Sequence, residues 1–182
     1  MGDDLHIFAG KTIKEYVDSV LTVTSTVEIP TCTDISGTTA PDTATTGTDI
    51  PVLEFPNGST TGQKFSFAVP EDYHSGDIDI VAQFRPKTGV ASPNNVVRLE
   101  TGGEVVDNSD GDIDSISAVG SDLTLADGTT TIEHATIKTI TSGNFGIRDE
   151  ISLDVKRLGA HGNDTYTDAW VLISMFYRYT RS

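Results

Sequence analysis

Cysteine, cations and long apolar runs are all scarce in this chain, and each scarcity closes a class of function. Cys32 is the only cysteine among 182 residues, so no intrachain disulfide forms and no cysteine-based zinc site is available. Twelve Lys and Arg stand against 27 Asp and Glu, a formal net charge of -15, which repels nucleic acid and anionic lipid alike. No apolar stretch approaches the roughly 18 residues of a membrane-spanning helix. The chain opens Met1-Gly2-Asp3-Asp4 and not on a basic then apolar leader, which predicts a soluble product of the cytoplasm. Myristoylation of Gly2 is not expected, because that motif wants Ser or Thr where His6 stands.

Catalytic signatures are missing as well. His6, His74, His134 and His161 are scattered with no HxxxH or HExxH spacing. There is no Gly-x-Ser-x-Gly elbow, and Gly10-Lys11-Thr12 lacks the upstream glycine of a phosphate loop. The chain reads as a non-enzyme without a cofactor. Asp107, Asp110, Asp112 and Asp114 crowd one short stretch and are the candidate metal ligands. An EF-hand counted from Asp110 would place Ser115 where Gly is required and Ser121 where the bidentate Glu belongs. The expectation is a solvated acidic hairpin loop.

What the chain does have is 26 Thr and 17 Gly, a composition that favours strands and turns over helix interiors. An all-β protein follows. Residues 31–49 are Thr, Asp, Gly and Pro with little to bury, and read as a long loop. Before them, Thr12-Ile13-Lys14-Glu15 has the pattern of a capping box, followed by Ile13, Tyr16, Val17 and Val20 at helical spacing. A helix that short needs a surface to dock on. Residues 20–29 then alternate with period two and predict a half-buried strand ended by Pro30. We therefore divide the chain into an N-terminal arm with its Thr-rich loop over 1–62 and a β domain over 63–182.

In that domain the alternation predicts strands near 64–69, 77–85, 95–101, 113–118, 121–126, 131–139, 150–157 and 168–179. Eight antiparallel strands suit a jelly-roll sandwich. The last is apolar on both faces: Trp170, Leu172 and Phe176 alternate with Val171, Ile173, Met175 and Tyr177. A sandwich strand needs only one apolar face, so the second set, together with Ile13, Tyr16, Val17 and Val20, is the expected partner interface. Tyr73, Tyr166, Tyr177 and Tyr179 are the aromatics left over for a sugar platform.

Two stretches resemble the jelly-roll virion proteins of tailed bacteriophages. One is Phe67-Ala68-Val69-Pro70-Glu71-Asp72-Tyr73-His74-Ser75-Gly76-Asp77-Ile78. The other runs from Ile151 through Arg157, then Asn163-Asp164-Thr165-Tyr166 and Asp168-Ala169-Trp170-Val171-Leu172, to Tyr177. The resemblance implies a capsid decoration (cement) protein on the virion surface, a homotrimer bound across junctions of the major capsid protein. Its alternative is a head- or tail-fibre or adhesin module that binds a host glycan. Neither role implies catalysis, nucleic-acid binding or a membrane.

Overall fold

A computed structural model describes residues 6–7, 11–12, 23–29, 31–35, 37–45, 51–91, 94–126 and 130–181. Among them are thirteen strands: β1 (His6–Ile7), β2 (Lys11–Thr12), β3 (Val23–Ile29), β4 (Thr31–Asp34), β5 (Asp42–Thr45), β6 (Pro51–Phe55), β7 (Thr60–Ala68), β8 (Tyr73–Pro86), β9 (Val96–Val106), β10 (Ile113–Thr124), β11 (Glu133–Ile140), β12 (Glu150–Leu158) and β13 (Trp170–Arg181). One sheet has the order β10-β9-β12-β7-β4. The other runs β11-β8-β13-β6-β5, with β3 also on β13. Every ladder within the two sheets is antiparallel.

Counting eight strands from β6 to β13, the first, eighth, third and sixth share one sheet, and the second, seventh, fourth and fifth share the other. That interlock of two Greek keys is the jelly roll, so the expected fold class is what forms. Period-two patterning makes it: Ile78, Ile80, Ala82 and Phe84 of β8 face Val97 and Leu99 of β9 and Ile151, Leu153 and Val155 of β12 in one core. Trp170 is wholly buried, with ring centroids 5.2 Å from Phe55 and 5.7 Å from Phe84. Gly103 sits at φ +148°, and a Cβ there would lie 2.0 Å from the Ser152 carbonyl oxygen. Only glycine fits at that crossing of β9 and β12.

Several expectations change. The described residues contain no α-helix, and Thr12, the expected helix cap, lies in a two-residue ladder opposite His6. Ile13, Tyr16, Val17 and Val20 lie outside the described residues. The supposed linker holds β4 and β5, which pair with β7 and β6; backbone pairing needs no apolar side chain when the strand lies at a sheet edge. A boundary at 62/63 falls inside β7, and β3, β4 and β6 from the expected arm are built into the two sheets. Residues 113–118 and 121–126 are one strand, β10, interrupted by a register shift between Ile116 and Val119. The eighth jelly-roll strand is therefore β6.

The two apolar faces of the last strand have a local cause. Leu172 of β13 pairs with Phe84 and Ser174 with Gln83, so Ile173 is an extra residue in the ladder. Such a bulge reverses which parity points inward. Trp170 and Leu172 enter the core before it; Met175, Tyr177 and Tyr179 enter after it. Phe176, expected beside Trp170, is turned to the outer face.

Candidate functional site

Most of the polar chemistry in the molecule is spent on structure. Arg157 continues the inward parity of β12 and, with Asp164, is fully buried. Its Nε donates to Asp164 Oδ2 at 2.9 Å and its Nη2 to Asp164 Oδ1 at 2.7 Å. Nη1 donates to the carbonyls of Phe55 (2.8 Å) and Asp168 (2.6 Å), and Nη2 to that of Tyr166. All five guanidinium donors are used, and Asp164 Oδ2 also accepts the Arg98 amide at 3.0 Å. This cluster ties the segment between β12 and β13 to the core. The residues that carried the C-terminal resemblance thus have a clear structural task.

The acidic loop is likewise folded back on itself. Asp107 accepts from both the amide and the hydroxyl of Ser109, at 2.6 Å each, and the Ser109 hydroxyl followed by its amide holds the Asp107 carboxyl below the usual range. Asp110 accepts the Asp112 amide at 3.0 Å, while Asp114 lies on β10. The buried Asp149 accepts the amides of Asn108 (3.0 Å) and Gly146 (2.5 Å), which fastens this loop to the one before β12. Among the described residues no three His, Cys, Asp or Glu side chains come together to hold a metal.

The expected interface on β13 is not at the surface. Met175 and Tyr177 belong to the core, Val171 is fully buried between Glu54 and Arg85 on the outer face, and Ile173 is half-buried. The bulge supplies the reason: beyond Ile173 the second apolar set, Met175 and Tyr177, turns into this chain's own interior. Of the four tyrosines set aside for a sugar platform, Tyr166, Tyr177 and Tyr179 are buried. Tyr73 is half-buried, edge-on to Phe145 at 5.2 Å.

The outer faces of the two sheets differ in kind. On the β9-β12-β7 side the surface is a charge lattice: Arg98–Asp122 at 2.8 Å, Lys156–Glu100 at 3.2 Å, and Lys64 at 3.6 Å from both Glu104 and Asp154. On the β11-β8-β13-β3 side the half-buried Phe176 is central. Its row across the strands is Glu28, Phe176, Val81, Thr136. The next row toward the C-terminus is Thr26, Arg178, Asp79, Thr139, where Arg178 Nη2 donates to Thr136 at 3.0 Å and lies 3.4 Å from Asp79, and Thr139 donates to Asp79 at 2.7 Å. On the other side Ser174 donates to Gln83 at 2.8 Å, beside His134. Ser174 and Glu28 also border a cavity of about 500 Å³ where β3 and β6 meet along β13.

The face therefore combines an aromatic ring with hydrogen-bonding groups fixed by strand register. Sequence reasoning missed Phe176 and Gln83. The available signal was the doubly apolar last strand, which a strict period of two cannot satisfy.

Fold and surface together define a jelly-roll domain with one charge-laced sheet face and one aromatic-centred face. No family model matches the sequence, and no curated protein matches it. Among solved structures, the C-terminal carbohydrate-binding module (CBM6) of LamC, a marine laminarinase from Zobellia galactanivorans, aligns with a TM-score of 0.46 at 9% identity, over 85% of this chain and 98% of that one. TmCBM61, a structure in complex with β-1,4-galactotriose, aligns with a TM-score of 0.33 at 14% identity, over 72% of this chain and 70% of that one. The jelly-roll assignment rests on the strand order given above.

Proposed function

We propose that this chain is a non-catalytic binding module of the fibre or adhesin type, which holds a glycan on the sheet face centred on Phe176. The observation that carries the reading is the placement of that ring on an outer face, between the Ser174–Gln83 pair and the Arg178–Thr136–Asp79 group. A pyranose stacks its C–H face on an aromatic ring and directs its hydroxyls to the rim, and the half-buried ring with its flanking polar groups supports that reading. The resemblance of residues 65–86 and 146–180 to tailed-phage virion proteins supplies the setting, a virion surface that must recognise a host. The test is binding of the full chain to a panel of immobilised glycans, beside a Phe176→Ala variant shown by circular dichroism to fold. Saturable binding lost in the variant supports the reading; binding of no glycan, or binding indifferent to Phe176, defeats it.

A second reading, capsid decoration by a trimer docked on the major capsid protein, is favoured by β10. Among the described strands it pairs in a ladder with β9 alone, at the sheet edge, and it is exposed along most of its length, with Ile113 64% and Val119 52% exposed. An open edge with apolar residues is a place for another chain to pair. Co-sedimentation with undecorated heads separates the two readings. Capsid binding reduced by Val119→Lys favours decoration.

A further inference from the structure

Arg85 lies on the same outer face as Phe176, four residues along β8 from Val81, which is paired with Phe176. At about 3.3 Å per residue that offset is roughly 13 Å, a span within which one ligand of two or three sugar rings can meet both residues. Of the other cations around this sheet, Arg178 is paired with Asp79, Lys87 with Glu54 at 2.7 Å, and Lys138 donates to the Ser117 carbonyl at 2.9 Å. Glu54, which flanks Val171 opposite Arg85, is therefore already neutralised. Half-buried Arg85 has no acidic partner among the described residues. In a chain of net charge -15, where carboxylates outnumber cations by more than two to one, an unpaired guanidinium on the aromatic face stands out.

We infer that the glycan taken by this face is acidic, a chain bearing a uronic or sialic acid whose carboxylate is held by Arg85 while a neighbouring sugar ring lies on Phe176. The inference rests on the glycan-binding reading and narrows it to a substrate class. A guanidinium presents a planar fork of donors that matches a carboxylate with two parallel hydrogen bonds, a match that no neutral hydroxyl reproduces. The global negative charge does not forbid it. Exposed charges beyond about 8 Å are largely screened at physiological ionic strength, whereas a direct contact at a half-buried group is screened much less.

The test titrates the full-length protein calorimetrically with sialyllactose and a trigalacturonate, each against its neutral counterpart, lactose and galactotriose. Wild type is expected to bind at least one acidic member 10-fold or more tighter than its neutral counterpart. Arg85→Gln removes that preference and leaves neutral-sugar affinity within about two-fold, while Phe176→Ala weakens both. Arg85→Lys, which keeps the charge without the fork, serves if the Gln variant misfolds and is expected to retain only part of the preference. Equal or tighter binding of the neutral sugars, or acidic binding unchanged in the Arg85 variants yet still lost in Phe176→Ala, overturns this inference and leaves the glycan reading standing. No binding of any of the four sugars, or binding that survives Phe176→Ala, overturns both.

Discussion

Arg157 and Asp164 show how much one pair of residues decides. Both side chains are fully buried, with every guanidinium donor of Arg157 used and both carboxylate oxygens of Asp164 accepting, so removing one partner strands the other charge in the core. Asp164→Ala is expected to cost about 3–5 kcal/mol in urea unfolding, the range for breaking a buried pair. The exposed Arg148–Glu71 pair belongs to the class worth about 0–1 kcal/mol. Acid sensitivity has a residue-scale cause too. The Asp107 carboxyl is held down by Ser109, and that of Asp122 by Arg98 first and then by Asn163. A carboxyl whose folded pKa lies below its unfolded one stabilises the fold above the unfolded value, about 3.9, and loses that contribution as pH falls through the folded value. Melting temperature should therefore fall between pH 5 and pH 2, and Ser109→Ala should move the NMR titration midpoint of Asp107 upward.

At the scale of elements, the bulge in β13 is the feature on which the interior turns. Tyr177, 6% exposed and stacked on Phe67 at 4.3 Å, lies inward, while its neighbour Phe176 lies on the outer face. Tyr177→Ala should destabilise the protein by about 3–5 kcal/mol, as truncation of a buried aromatic does, and Phe176→Ala by clearly less, in matched denaturant titrations. Equal losses would mean that the parity does not switch at Ile173. This element also shows where sequence reading stops. Strict alternation assigns each residue a face from its number alone, and one inserted residue reverses all that follow. The merger of two expected strands into β10 has the same origin: the register shift after Ile116 breaks the period without breaking the strand.

For the whole molecule, β3 matters more than an arm would. It pairs with β13 over seven residues, Met175 opposite Ile29 through Arg181 opposite Val23, and Ile29 is in the core. Deleting residues 1–29 should lower the melting temperature by several degrees and leave the β13 edge open to aggregation, both measurable by scanning calorimetry and light scattering. An unchanged melting temperature would show that β3 is a passenger. The acidic loop, whose Asp107 and Asp110 carboxylates are already engaged with local amides, should be indifferent to metal: neither EDTA nor millimolar calcium is expected to shift the melting temperature, whereas a real site would raise it in proportion to RT ln(1 + [L]/Kd).

Composition and period-two patterning by themselves determined that this chain is all-β and where most of its strands run, because those are local consequences of side-chain alternation and backbone freedom. The closing cluster was visible as a motif but not as an ion pair, since Arg157 and Asp164 gain their meaning only when a strand and the following loop are folded onto Phe55. Only the tertiary structure decided that β4 and β5 belong to the sandwich, because edge strands are held by backbone hydrogen bonds that leave almost no side-chain signature. Only it decided that Met175 and Tyr177 turn inward while Phe176 and Arg85 share an outer face. Which side of a sheet a residue occupies depends on register, and register is settled by the partner strand, here β8, whose Gln83 and Phe84 leave Ile173 unmatched.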